Sequence, residues 1–304
     1  MTERIAAIDF GTNTARLLVA DLTDSGFTHV HLEREIVRMG GGFSRDAGLS
    51  PEAWQRGTAC LQRFAGIIAA CGGVSRVRAV ATSAVRDAAN GGAFVDEVER
   101  TTGIRLEVIN GVLEGELTLA GVLAGLDQRA GELVLFDIGG GSTEYTIARN
   151  GRAAFVHSLP LGVVRLTEGK GDPDAIREKI RRELADLQQE MARQSCSFTS
   201  GATLVGTAGT ATTLAAICLE MKDYDYRRVN NSVVTRHQVQ SIYDRLLPLS
   251  PEERLSTPGL ERGREDLIIA GMLITLETMA MTGIDRMKVS DYGLLEGLVV
   301  AAGC

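Results

Sequence analysis

The sequence contains few prolines, few aromatic residues and no excess of basic residues. Its 304 residues include 6 prolines and 5% aromatic residues, and 39 acidic residues outnumber 32 basic ones, which gives a net charge of −7 at pH 7. Proteins that bind nucleic acid usually carry a strong basic face, so this composition argues against such a partner. The 44% apolar and 23% charged fractions exclude a disordered or fibrous chain.

Cysteine and histidine are also scarce. The 5 cysteines are odd in number and form no CxxC motif, which favours free thiols in a reducing compartment over a disulfide framework. The 4 histidines form no HExxH motif, so a zinc site is not expected. A strand-like run begins where a signal peptide would lie, and no apolar run is long enough to span a bilayer. We therefore expect a soluble, cytoplasmic protein that does not bind membranes.

Glycine, in contrast, is abundant. Glycine makes up 35 of the 304 residues, about 11.5%, where about 7% is usual. Because the chain has few prolines, these glycines are not explained by linkers. They indicate places where the backbone turns tightly or approaches a ligand closely. The length corresponds to two domains of about 150 residues each.

An internal repeat supports this division. An apolar run over 5–8 leads into Asp9-Phe10-Gly11-Thr12-Asn13-Thr14, and a second over 133–136 leads into Asp137-Ile138-Gly139-Gly140-Gly141-Ser142-Thr143-Glu144. Each motif continues into a further strand-like run, then a third strand, then alternating helices and strands. This order predicts a mixed sheet with helices on its faces. The sequence therefore predicts an α/β protein with two similar domains that face each other across a cleft.

The two turns have the composition of phosphate-binding loops. Their glycines expose backbone N–H groups, and consecutive turn amides can form a nest for an anion. Thr12, Asn13 and Ser142 add polar side chains. Asp9 and Asp137 lie at strand ends, where a carboxylate can hold Mg²⁺. The chain has no GxxxxGK[ST] motif and no complete GxGxxG motif, so the P-loop and Rossmann folds are not expected.

Several segments together match one known family. They lie at 9–17, 81–90, 137–144, 158–168, 206–210 and 289–297. These segments resemble the exopolyphosphatase / guanosine pentaphosphate phosphohydrolase (Ppx/GppA) family in its short two-domain form. That family belongs to the actin, Hsp70 and sugar-kinase superfamily. The resemblance implies two ribonuclease-H-like (actin-like ATPase) domains, each a mixed five-stranded sheet flanked by helices. We expect the first domain over 1–121, with the C-terminal helix in 292–304 as a candidate addition, and the second over 122–291.

The resemblance also implies roles for individual residues. It implies that Glu114 is the catalytic base and that Asp9, Asp137 and Glu144 hold a divalent metal, Mg²⁺ or Mn²⁺. The implied phosphate-binding residues are Gly11, Thr12, Asn13, Arg86, Gly139, Gly140, Gly141, Ser142, Gly209 and Thr210. Arg16, Ser83 and Arg165 fit either the site or a structural role. Arg262 and Arg264 are expected on a solvated face.

The activity implied is Mg²⁺-dependent hydrolysis of the terminal phosphoanhydride of inorganic polyphosphate, or of guanosine pentaphosphate in the stringent response. Two positions depart from the family pattern, because Leu113 replaces a glutamate and Leu295 replaces an arginine. Long family members extend further, so we expect a preference for short polyphosphate or a nucleotide. The alternatives are an ATPase or kinase of the same superfamily, and a non-catalytic binder of polyphosphate or of the guanosine alarmone. The apolar stretch 267–281 fits either a core helix or the surface of a homodimer.

Overall fold

The computed structural model describes residues 3–24, 26–42, 47–127 and 131–303. The chain divides into two compact units. The first comprises Met1–Ala124 together with Leu294–Cys304, and the second comprises Gly125–Gly293. Each unit contains one mixed sheet flanked by helices.

The first unit is built on a five-stranded sheet in the order β3-β2-β1-β4-β5. Its strands are β1 (Arg4–Phe10), β2 (Thr14–Thr23), β3 (Gly26–Ile36), β4 (Val74–Ala81) and β5 (Leu106–Val108). The first three strands pair antiparallel, while β4 is parallel to β1 and β5 to β4. The helices within this stretch of chain are α1 (Pro51–Cys71), α2 (Ser83–Arg86), α3 (Gly91–Thr102) and α4 (Gly111–Gly125), the last of which ends at the unit boundary.

The second unit is built on a six-stranded sheet in the order β10-β11-β9-β6-β7-β8. Its strands are β6 (Glu132–Ile138), β7 (Thr143–Arg149), β8 (Arg152–Leu159), β9 (Thr203–Thr207), β10 (Val233–Thr235) and β11 (Arg286–Val289). Its helices are α5 (Val163–Lys170), α6 (Pro173–Arg193), α7 (Ala208–Cys218), α8 (Tyr226–Val229), α9 (Arg236–Leu246), α10 (Pro251–Arg254) and α11 (Ile268–Thr282). The sheet has one strand more than expected, because β10 is a three-residue edge strand and too short to show a periodic pattern.

The last helix, α12 (Leu294–Ala302), returns the chain to the first unit. Because successive residues of a strand point to opposite faces, β1 contributes to two cores. Ala6 and Ile8 pack with α1 and α3, whereas Ile5 and Ala7 pack with α4 and α12. The C-terminal helix therefore covers one face of the first sheet.

The long helices begin where capping residues predict. Ser50 accepts a hydrogen bond from the backbone N–H of Ala53 at 3.2 Å, and Pro51 opens α1. Asp172 likewise accepts from the N–H of Ala175 at 2.9 Å, and Pro173 opens α6. A side-chain acceptor satisfies an otherwise unpaired N–H, and proline suits the first helical position because its missing N–H is not needed there.

The apolar stretch that fitted either a core helix or a dimer surface is a core helix. Residues of α11 from Ile268 to Leu276 are buried in the core of the second unit. This surface is therefore not available for a partner. Within the described ranges, no helix combines the length and the apolar character that crossing a membrane requires.

Burial protects one cysteine of the first unit. Cys60 lies on α1, is fully buried in the core, and faces the carboxylate of Glu35. Burial raises the pKa of its thiol, and the negative charge of Glu35 raises the pKa further. Since only the thiolate is a good nucleophile, we expect native Cys60 to react far more slowly with a disulfide reagent at pH 8 than the half-buried Cys71. Peptide mass spectrometry after timed labelling measures both rates. Equal rates in the native protein contradict the prediction, and equal rates in guanidinium are the control.

Candidate active site

The two Asp-Gly turns are closed by equivalent backbone hydrogen bonds. In the first, between β1 and β2, the N–H of Gly11 donates to the carbonyl of Thr14 at 3.0 Å. In the second, between β6 and β7, the N–H of Gly139 donates to the carbonyl of Ser142 at 2.9 Å. The repeat in the sequence therefore extends to the hydrogen bond that closes each turn.

Each turn is held by the segment that follows the third strand of its own sheet. The carbonyls of Thr12 and Asn13 accept hydrogen bonds from amides within 37–40, at 2.9 to 3.0 Å. The carbonyls of Gly139 and Gly140 accept from amides of 163–165 at the start of α5, at 2.9 to 3.2 Å. The amides of residues 12, 13, 140 and 141 have no backbone acceptor within the described part of the chain. Consecutive amides of a turn can bind an anion.

The candidate metal-binding carboxylates lie on the strands beside these turns. Asp9 stands opposite Arg16 in the β1–β2 ladder, and Asp137 stands opposite Glu144 in the β6–β7 ladder. Directly opposite side chains project to the same face of a sheet. The structure therefore brings Asp137 and Glu144 together in the second unit, whereas Asp9 belongs to the first. Glu144 is buried and accepts a hydrogen bond from the hydroxyl of Ser158 at 2.7 Å.

The donors of these two strand pairs suit some divalent ions better than others. Among the described residues, no group of three or more histidine, cysteine, aspartate or glutamate side chains could hold a metal. Zinc is therefore a poor fit, since its sites need three or four such ligands. Mg²⁺ is commonly held by one or two carboxylates, with water and substrate phosphates completing its coordination. The half-buried carboxylate of Asp9 in the first unit, and separately that of Asp137 in the second, is a ligand of the type that such an ion takes.

A buried hydrogen bond links the first turn to α2. The hydroxyls of Thr12 and Ser83 lie 2.8 Å apart, and both residues are buried. Ser83 is the first residue of α2, and Arg86 is the last. Ser83 thus fixes the short helix that carries Arg86.

Arg86 and Glu114 form an ion pair in the first unit. The Nη1 of Arg86 donates to the carbonyl of Ile109 at 2.9 Å and to Oε2 of Glu114 at 3.3 Å. Glu114 lies in the first turn of α4 and is 7% exposed. The side chain of Asn110 accepts from the N–H of Leu113 at 2.9 Å, which fixes the start of the helix. The carboxylate is therefore held in one orientation by its own helix and by the guanidinium.

Leu113 takes part in this network through its backbone, because its N–H donates to Asn110. Its side chain is half-buried and packs against the core under α12. A packing residue therefore stands where the resemblance predicts a glutamate.

The third glycine-rich segment lies at the junction of β9 and α7. Ala208 adopts a left-handed φ of 62°, which is uncommon for a residue other than glycine. The hydroxyl of Thr207 donates to the carbonyl of Tyr292 at 3.0 Å. The side chain of Thr210 is buried and packs against Gly271 of α11.

Arg264 is a residue that sequence reasoning missed. It was expected on a solvated face, but its side chain is only 16% exposed and pairs with Glu261 at 3.1 Å. Its guanidinium occupies the space that a side chain at Gly209 would need. The glycine is thus required for close approach of this cation. No local pattern in the sequence signals the contact, because the two residues are 55 positions apart (264 − 209).

Arg86 provides a direct test of the ion pair. We expect Arg86→Lys to lower the kcat of the phosphoanhydride hydrolysis that the resemblance implies by about 100-fold. An ammonium group cannot donate to Ile109 and Glu114 in the same fixed geometry. Steady-state kinetics at saturating metal measure the effect. Arg100→Lys, an exposed change on the neighbouring α3, is the matched control. Wild-type kcat in Arg86→Lys contradicts a role that depends on the guanidinium.

Known proteins resemble this chain over nearly its whole length. The sequence profile of the Ppx/GppA phosphatase family matches residues 18–302. Exopolyphosphatase 2 of Mycobacterium tuberculosis is 34% identical, and the match covers 98% of this chain and 98% of that protein. The crystal structure of the Aquifex aeolicus Ppx/GppA family member is 31% identical with a TM-score of 0.83, and covers 100% of this chain and 98% of its own. An exopolyphosphatase structure from Cytophaga hutchinsonii is 25% identical with a TM-score of 0.86. The match covers 97% of this chain and 96% of that one.

Proposed function

Since this chain belongs to the Ppx/GppA phosphatase family, we propose that it is an exopolyphosphatase, an enzyme that hydrolyses the terminal phosphoanhydride bond of inorganic polyphosphate. The observation that carries the proposal is the buried Glu114 carboxylate, held by Arg86 in the same unit as the Asp-Gly turn. The 34% identity to an exopolyphosphatase over 98% of both chains supports it.

Each group of residues has its own proposed role in phosphoryl transfer. In this reaction the protein mainly positions the phosphate and stabilises its charge. Glu114 would orient the attacking water and accept its proton as the oxygen bonds to the terminal phosphorus. The bond from that phosphorus to the bridging oxygen would break, and the shortened polyphosphate would leave. Within the first unit, the amides of the first turn and Arg86 would donate to phosphate oxygens, and within the second unit the amides of the second turn are donors of the same kind.

A divalent ion, Mg²⁺ or Mn²⁺, is part of the proposal. Its proposed ligands are Asp9 within the first unit, and Asp137 with Glu144 within the second, and in each unit water and phosphate oxygens would complete the coordination. Such an ion would neutralise the charge of the phosphate groups. Asp9 is the residue of this set that lies beside the first turn.

Guanosine pentaphosphate is the second proposed substrate. Its terminal 5′ phosphoanhydride is the same bond, so the same turns and the same base would serve it. This reaction would connect the protein to the stringent response.

We also propose a cytoplasmic location, which the free thiols of Cys60, Cys71, Cys196 and Cys218 support. A homodimer is a further proposal, tested by light scattering after size exclusion.

One assay separates these functions. Free phosphate is measured from short polyphosphate, long polyphosphate, guanosine pentaphosphate and ATP, each with and without Mg²⁺. Metal-dependent release from polyphosphate is the expected result. Release from ATP alone indicates an ATPase or kinase, and binding of polyphosphate without release indicates a non-catalytic binder. Either of these outcomes rejects the proposed activity.

A further inference from the structure

A buried carboxylate lies in the otherwise apolar helix α12. Glu296 is 1% exposed, and its neighbours Leu295, Leu298 and Val299 belong to the core of the first unit. Its Oε1 pairs with Nη2 of Arg16 at 3.4 Å. An ion pair in such a place is rarely more stabilising than well-packed apolar residues. Stability alone therefore does not explain why a glutamate occupies this position.

Arg16 connects this carboxylate to the first turn. In the β1–β2 ladder Arg16 stands directly opposite Asp9. On β1, Asp9 lies on the same face as Ile5 and Ala7, and on β2, Arg16 lies on the same face as Leu18. This is the face of the sheet that α12 covers. Opposite side chains in such a ladder are close neighbours. Arg16 thus stands opposite Asp9 in the ladder and pairs with Glu296 of α12.

The position of α12 is fixed on its other side as well. A Cβ at Gly297 would overlap the carbonyl of Leu117 in α4. Glu114 lies one helical turn before Leu117 on the same helix. The segment that presents Glu296 is therefore held against the helix that carries the proposed base.

We propose that Glu296 is a positioning residue that holds the guanidinium of Arg16 and so keeps the carboxylate of Asp9 available to a divalent ion. Without the charge of Glu296, the guanidinium of Arg16 would be drawn towards Asp9 and would compete with the metal. The inference rests on the proposed function for the identity of the ion, and it concerns a residue 280 positions from Arg16. It assigns a role in the site to the C-terminal helix.

The test is Glu296→Gln, which keeps the shape of the side chain and removes its charge. Mn²⁺ binding is measured by electron paramagnetic resonance without substrate, and the Mg²⁺ dependence of phosphate release is measured separately. We expect the Mn²⁺ Kd to rise about tenfold, as is typical when a partner of a metal ligand is lost. The Mg²⁺ concentration for half-maximal release should rise with it, whereas kcat at saturating metal should change less.

Arg16→Gln supplies a second arm, and because it takes this cation away from the buried Glu296 carboxylate, its folding is checked by circular dichroism before Mn²⁺ is added. This variant should not weaken Mn²⁺ binding, and adding Glu296→Gln to it should change nothing further, because both residues act through one guanidinium. Glu277→Gln is the matched control. Glu277 is also a helical carboxylate paired with arginine, on α11 of the second unit with a side chain 11% exposed, and its loss should leave Mn²⁺ binding unchanged.

The outcomes decide between positioning and mere packing. An unchanged Mn²⁺ Kd in Glu296→Gln with a lowered Tm overturns the proposal, as does a further loss when Glu296→Gln is added to Arg16→Gln. Failure of the wild type to bind Mn²⁺ also overturns it. If the wild type binds Mn²⁺ but releases no phosphate, the proposed function fails, while the binding arms still decide the role of Glu296.

Discussion

Replacing Glu114 by glutamine is expected to lower kcat for polyphosphate about 1,000-fold and to leave KM within a few fold. The amide has the shape of the carboxylate and can still accept the hydrogen bond from Nη1 of Arg86, which now lies 3.3 Å from Oε2. It cannot take a proton from water. Because the change removes one chemical step and little else, the loss should fall on kcat rather than on binding.

Glu116→Gln is the matched control for this prediction. Glu116 lies on the same helix two residues later, but it is exposed. We expect wild-type kinetics from it. Phosphate release at saturating metal, with KM determined for each variant and unfolding followed by circular dichroism, measures both changes. Full activity in Glu114→Gln removes Glu114 as the base, and an equal loss in Glu116→Gln shows that the effect is not specific.

The parts of the site that are local in the chain could be predicted from the sequence. Asp9 and Gly11 are two residues apart, and the strand patterns on each side place them in a hairpin turn. The same reasoning holds for Asp137 and Gly139. The repeated closing hydrogen bond in both turns follows from this shared local pattern. Capping residues such as Ser50 similarly mark helix starts.

The contacts between distant positions could not be predicted in this way. Arg86 and Glu114 are 28 residues apart, and Arg16 and Glu296 are 280 apart. Hydrophobic periodicity tells which face of an element is buried, but not which polar side chains meet when the elements pack.

The sequence interpretation also missed the short helices α2 and α5, because the formation of such short helices depends on their contacts rather than on intrinsic propensity. The role of α5 in holding the second turn was therefore absent from the sequence interpretation.

That role leads to the second large prediction, for Gly162→Ala. Gly162 precedes α5, and a Cβ there would overlap the backbone of Gly140 and Gly141 in the second turn. Its φ of −104° is open to any residue, so the glycine is needed for space and not for conformation. Since neither backbone can move without breaking the hydrogen bonds from 163–165, the methyl group should displace the turn. A shift of about 1 Å in a phosphate-positioning group can lower the rate about 100-fold.

We therefore expect kcat/KM for polyphosphate to fall about 100-fold in Gly162→Ala, with a lower midpoint in urea unfolding. Gly169→Ala is the matched control, because Gly169 lies within α5 and a Cβ there meets no atom within 4 Å. That change should leave kcat/KM unchanged and stabilise the protein by about 0.5 kcal/mol, since alanine restricts the unfolded chain. Wild-type kcat/KM in Gly162→Ala means that catalysis tolerates a displaced second turn. In that case the contribution of residues 139–142 to phosphate binding would be rejected, and the first turn with Arg86 and Glu114 would have to supply it.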